Sequence, residues 1–222
     1  MAQAGVHQLT TPRAAALSGV VFAVLFGATL LLIRTGMPGD VAELADWLSE
    51  ERGAIVTATV LMPFAGISFL WFVGAVRDSF GRYEDRFFAT VFLGSGVLFV
   101  AMLFVATAVA AALVASNEGV TDASAHAEVA KLGRNILVVA SQTYGVRMAA
   151  VFMMSLATMW RKTGLMPRWL VAVSYLVALG LLAASDVSMW VAMAFPVWVL
   201  VVSGLILFRA GIFNSNRDSI TA

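Results

Sequence analysis

Asn135-Ile136-Leu137-Val138-Val139-Ala140-Ser141-Gln142-Thr143-Tyr144-Gly145-Val146-Arg147-Met148, continuing through a Met-rich stretch to Trp160, reads as a membrane-spanning helix with a permanent positive charge near its midpoint. Arg134 stands 13 residues before Arg147, and Arg161 stands 14 after it. At ~1.5 Å rise per residue, Arg147 is about 20 Å from either flank and close to the bilayer centre. The other apolar segments carry no central charge.

The composition supports a membrane reading of the whole chain. Its 222 residues are 61% hydrophobic and only 12% charged, which marks a single all-α, polytopic membrane bundle rather than a soluble domain. A net charge of +1 with no basic run gives no reason to expect nucleic acid. The absence of Cys excludes disulfides, thiolate chemistry and Cys-based metal sites. Arg supplies 12 of the 14 basic residues, and Ala and Val abound, a habit of GC-rich bacterial genomes. The expected location is therefore a bacterial plasma membrane. The apolar run after Arg13 shows no small-x-small cleavage site followed by a polar region, so it is expected to be retained as a span.

Six transmembrane helices are expected, at about 14–33, 54–76, 87–115, 135–160, 169–184 and 190–208. Pro63 lies inside the second and removes the donor for the Thr59 carbonyl. The third offers Ala106/Ala110 and Ala108/Ala112, small pairs that let helices approach closely. Between the first two spans, 40–52 reads as a short external amphipathic helix. Asp40 and Glu43 suit a capping box, and Val41, Leu44, Ala45 and Leu48 make an apolar stripe. That helix either caps the bundle or offers Leu44, Trp47 and Leu48 as a partner-docking surface. The loop 116–133 is expected to be partly helical at best, and 209–222 a polar tail. No internal repeat is evident, and Pro63 and Pro196 do not fall at corresponding places.

Six spans place both termini on one side. Arg13, Arg77, Arg82, Arg86, Arg161, Lys162, Arg168, Arg209 and Arg217 belong to that side, while Arg34, Arg52, Lys131 and Arg134 share the other with many acids. The positive-inside rule puts both termini in the cytoplasm.

A guanidinium in hydrocarbon costs ~2.5–3.5 kcal/mol on insertion scales unless it is solvated or paired. It keeps its charge. The six spans contain no Asp or Glu, and Asp186 lies about three turns too high, so the partner must be something other than a carboxylate at the same depth. Thr143 and Tyr144 share the face of Arg147, and Gln142 and Ser141 add polarity nearby. Other candidate acceptors are the Thr59 carbonyl, Ser68, Ser95 and Ser203. Arg147, Tyr144, Thr143 and Gln142 are thus the candidate ligand- or partner-binding residues. They either knit the bundle or meet an anion: a lipid phosphate, a substrate carboxylate or an acid of another subunit. Glu118, Asp122, His126 and Glu128 share one loop but match no zinc spacing, so no metal is expected. His7 and His126 are the two histidines, far from any span serine, and no phosphate loop or HExxH motif occurs. No catalytic set and no cofactor are read. Met148, Met153, Met154 and Met159 suit adaptable packing or contact with another subunit.

Thr163-Gly164-Leu165-Met166-Pro167-Arg168-Trp169-Leu170 resembles a turn that opens the fifth helix in many uncharacterised bacterial six-span membrane proteins. The stretch from Ala42 to Gly53, and Trp71-Phe72-Val73-Gly74-Ala75-Val76-Arg77, are similar to small actinobacterial conserved transmembrane proteins. The likeness covers the layout of the whole chain through short motifs, and that group has no shared activity to transfer. Some mycobacterial proteins of this layout are similar to accessory subunits beside the permease of MCE-type lipid importers. The resemblance therefore implies a non-enzymatic accessory subunit of a larger membrane complex that imports lipids. The alternative is a stand-alone transporter or lipid-binding protein with Arg147 as its anion anchor. A membrane enzyme is a third reading, disfavoured by the missing catalytic groups.

Overall fold

The computed structural model describes residues 11–34, 38, 43–80, 86–116, 123–184 and 189–218. Every element among them is helical: α1 (Thr11–Arg34), α2 (Leu44–Glu50), α3 (Arg52–Asp78), α4 (Arg86–Ser116), α5 (Ala123–Val138), a π-helical segment (Val139–Val146), α6 (Arg147–Thr163), α7 (Arg168–Ala184), a 3₁₀ turn (Met189–Met193) and α8 (Ala194–Asp218). Hydrocarbon offers backbone groups no partner, so a chain this apolar satisfies them within helices. Five stretches are long and apolar enough to cross a membrane: Arg13–Ile33, Arg52–Asp78, Arg86–Ser116, Ala127–Thr163 and Trp190–Arg209. The 17-residue α7 is apolar too but stands at the short limit for a ~30 Å slab.

The helix ends follow local chemistry. Gly164 takes φ 67°, and its N–H donates to the Trp160 carbonyl at 2.9 Å, which closes α6 with a left-handed cap. Pro167 then leads into α7. Pro196 sits in the first turn of α8, where its missing N–H costs nothing. Pro63 is held inside an uninterrupted α3.

The long helices form a closed ring in the order α8, α1, α3, α4, α6, α7, with α7 touching α8 again. Gly19 of α1 meets Phe72 and Ser203, and Phe22, three residues further on, meets the earlier Phe69 of α3 and Phe195 of α8, so α1 runs antiparallel to both. A Cβ on Gly19 would stand 2.7 Å from a Phe72 ring carbon, which is why no larger residue fits. Aromatic rings fill the middle of the ring of helices. The Phe69 ring centre lies 4.7 Å from Phe22, 5.3 Å from Phe99, 5.1 Å from Phe152 and 5.8 Å from Phe195. Those residues come from α3, α1, α4, α6 and α8, so five helices meet at one side chain. Phe92 stacks on Phe152 at 4.5 Å and extends the cluster along α4 and α6. α7 joins through hydroxyls: Thr158 and Tyr175 share a 2.6 Å hydrogen bond, and Trp198 Nε1 donates to Ser174 Oγ at 2.9 Å.

A smaller core lies where α2, α3, α4 and α5 meet, built on Trp47, Leu48, Ile55, Leu113 and Leu137. Ala106 and Ala110 are buried in it, as the small-residue spacing predicts, whereas Ala108 and Ala112 are exposed. Three expectations need correction. The stretch 116–133 is helical from Ala123, because α5 lies along α4 and continues through the π segment into α6. The last helix runs on to Asp218 instead of ending at Phe208. The short helix begins at Leu44; Glu43 precedes it and makes no side-chain cap bond, and Asp40 lies outside the described residues.

The convergence on Phe69 makes it the most sensitive packing position. Phe69→Ala is expected to lower unfolding free energy in mixed micelles by about 3–5 kcal/mol. Leu176→Ala, at a 72% exposed position on α7, is expected to change it by well under 1 kcal/mol. Equal effects at the two positions would refute the aromatic hub.

Candidate functional site

The Arg147 region is a local break in helical geometry. Residues Val139–Val146 bond in the wider i→i+5 pattern of a π-helix, and Arg147 opens the α-helix that follows. The sequence explains the break. Ser141, Gln142 and Thr143 place three side chains in a row that compete for main-chain groups; Ser141 Oγ donates to the Val138 carbonyl at 3.5 Å. Gly145 supplies the open space. A Cβ there would lie 3.2 Å from the Ala140 carbonyl oxygen, inside ordinary contact distance.

The polar side chains of this stretch fall on two faces. Gln142 and Ser141 are turned into the bundle and buried. Tyr144 is 55% exposed, while Thr143 and Arg147 are half-buried. These three continue an outward stripe that includes Leu132, Ile136 and Val139, all exposed. The structure thus brings Thr143, Tyr144 and Arg147 together on the outer surface of the bundle, and separates Gln142 from them. Arg147 Nη1 donates to the Thr143 carbonyl at 3.4 Å, a bond to its own helix four residues back. The candidate hydroxyls elsewhere serve their own helices: Ser68 Oγ donates to the Phe64 carbonyl at 2.8 Å, and Ser95 Oγ to the Val91 carbonyl at 2.6 Å. Ser203 Oγ is buried without a hydrogen-bond partner among the described residues.

Two of the three residues of the second candidate surface are covered by the chain itself. Trp47 and Leu48 are buried against Ile55, Leu113 and Leu137 of their own chain, because α2 folds its apolar stripe onto the helix ends. The side chain of Leu44 lies outside the described residues, as do Glu118, Asp122, Asp186 and the side chain of His126. The methionines of α6 act as filler: Met153 and Met159 are buried, and Met148 and Met154 pack against the core.

Charge is divided between the two ends of the bundle. Lys162 Nζ sits 4.5 Å above the Phe88 ring, and Arg209 Nη1 donates to the Leu165 carbonyl. These contacts gather the start of α4, the α6–α7 turn and the end of α8 at one basic end. At the other end, Arg134 Nε donates to the Pro38 carbonyl at 3.3 Å.

The π geometry has a measurable signature. Gly→Ala in a helix normally gains up to about 1 kcal/mol. Gly180→Ala, where a Cβ meets nothing within 4 Å, is expected to raise the melting temperature in detergent. Gly145→Ala is expected to lose that gain to the crowded Ala140 carbonyl, and an equal rise at both positions would contradict this. Comparison of the chain with family models, with curated proteins and with solved structures gives no match.

Proposed function

We propose that this chain is a non-enzymatic accessory subunit of a larger plasma-membrane complex, one that takes up lipid. The observation that carries the reading is half-buried Arg147 beside exposed Tyr144, partway along the long apolar stretch Ala127–Thr163. A half-buried guanidinium in spans that hold no Asp or Glu can take an acid or a polar surface of another subunit in addition to the contacts it makes within its own chain. The filled centre supports the same reading. Phe22, Phe69, Phe99, Phe152 and Phe195 occupy the middle of the helix ring, where a molecule passing through this chain alone would have to go. The lipid-importer assignment rests on the resemblance of the turn at 163–170 and the stretches around 42–53 and 71–77.

In this reading α7 completes six crossings, the basic end is cytoplasmic with both termini, and α2 lies on the external side. The lack of any Cys makes this testable without background. A single cysteine at Glu51 is expected to react with a membrane-impermeant maleimide in intact cells, and one at Ser79 only after lysis. The opposite pattern would invert the topology.

The subunit reading predicts that a photoreactive benzoylphenylalanine at position 144 crosslinks to another membrane protein. It also predicts that Arg147→Leu folds normally but loses that partner by at least tenfold in co-purification, taking ~1.4 kcal/mol per tenfold as the scale of one lost charge contact. A chain that runs alone in native mass measurements after gentle extraction, and carries a ligand across liposomes unaided, would overturn the proposal. It would favour instead a stand-alone transporter anchored on Arg147.

A further inference from the structure

Away from the Arg147 face, a groove of about 760 Å³ runs along the outside of α4 from the basic end of the bundle. Arg77, near the end of α3, and Arg86, the first residue of α4, flank its mouth, and both are exposed. Below them the lining turns apolar. Leu93 and Val97 follow Arg86 by 7 and 11 residues, or about 10 and 16 Å along the axis. Leu93, Val97 and Leu98 are 37%, 48% and 50% exposed, an outward apolar stripe at acyl depth. Among the described residues, the one hydroxyl lining the groove, Thr90 Oγ1, donates to the Arg86 carbonyl at 2.8 Å. The groove therefore offers cationic donors at the headgroup level and hydrocarbon contact below.

We infer that this groove binds an anionic phospholipid, with the phosphate against Arg77 and Arg86 and an acyl chain along Leu93, Val97 and Leu98. The charge argument selects the ligand. Arginine forks bind phosphate oxygens in pairs, and basic pockets between helix ends hold acidic headgroups. A zwitterionic lipid fills the same apolar stripe but brings its own cation to the two arginines. A soluble phosphate ester lacks the chain that the lower part of the groove fits. The site is independent of whether the chain works alone or within a complex.

The test uses the full chain in vesicles of equal phosphatidylglycerol and phosphatidylcholine, extracted in gentle detergent, with retained lipid counted by native mass spectrometry. The wild-type chain is expected to retain phosphatidylglycerol over phosphatidylcholine by about thirtyfold, the scale set by two basic residues at a headgroup. Arg77→Gln with Arg86→Gln removes the preference, whereas Arg161→Gln with Lys162→Gln, a basic pair outside the groove, leaves it. Val97→Trp, which fills the stripe, lowers retention of phosphatidylglycerol with the helical circular dichroism unchanged. Excess glycerophosphoglycerol, the deacylated headgroup, fails to displace the lipid. The inference is overturned by a wild type that shows no preference or by a double arginine variant that keeps it. Loss of the preference in the Arg161/Lys162 control, unchanged retention in Val97→Trp, or displacement by the bare headgroup would overturn it equally.

Discussion

Apolar side chains gain little by leaving lipid for the inside of a membrane protein, so helices there are held by shape and by a few polar bonds. This chain meets that constraint with rings. Phe69 touches rings from α1, α4, α6 and α8 at once, in tilted and edge-on arrangements that favour aromatic quadrupoles. A wide flat side chain on each helix fills a centre that aliphatic residues would leave partly empty. The small residues do the complementary work at the rim. Gly19 lets α1 close on both α3 and α8, and Gly96 lets the Phe152 ring pass α4, 3.2 Å from where a Cβ would stand.

Polar groups are rationed by the same constraint. Nearly all the described serines and threonines within the long helices donate to a carbonyl three or four residues back, which hides the hydroxyl at little expense. Thr158 and Ser174 make that local bond and also join helices, through Tyr175 and Trp198, and both joints attach α7, which contributes no phenylalanine to the hub. Against this economy the Ser141–Arg147 stretch stands out. It holds the largest polar load of any described helix interior, and it is where the α-helical bonding pattern gives way.

Much of the fold was legible because hydropathy reports span limits directly. The expected spans 54–76 and 87–115 sit within one or two residues of α3 and α4, and the limits 169–184 match those of α7, a shorter apolar helix. Loop 116–133 misled because Glu118, His126, Glu128 and Lys131 make it look solvated, yet Ala130 and Leu137 lie one face apart and pack on Leu113. The ring hub was present as Phe22/Phe26, Phe69/Phe72 and Phe92/Phe99, at spacings of 4, 3 and 7 that share a helix face. Its convergence depends on which helices are neighbours, and hydropathy is silent about that. For the candidate site, Arg147, Thr143 and Tyr144 were legible from 3.6-residue periodicity. Gln142 stands five residues before Arg147, about 140° round an ordinary helix, so its turn into the bundle follows from the same periodicity. Trp47 and Leu48 form a stripe that reads identically whether a partner or the chain's own helix ends cover it.

An i→i+5 turn accommodates more residues for the same axial advance than the i→i+4 turn around it, so the stretch Val139–Val146 acts as a phase shifter. Upstream, Ala130 and Leu137 point toward the outer half of α4; downstream, Phe152 and Trp160 point into the hub. Deleting one residue anywhere within these eight would let the backbone relax to ordinary coiling and rotate one half of the span against the other. Loop positions absorb such length changes freely, but here the tally of residues sets which way the guanidinium faces. Sister chains shorter by one in this octet would present a different surface to the bilayer even with every side chain otherwise retained.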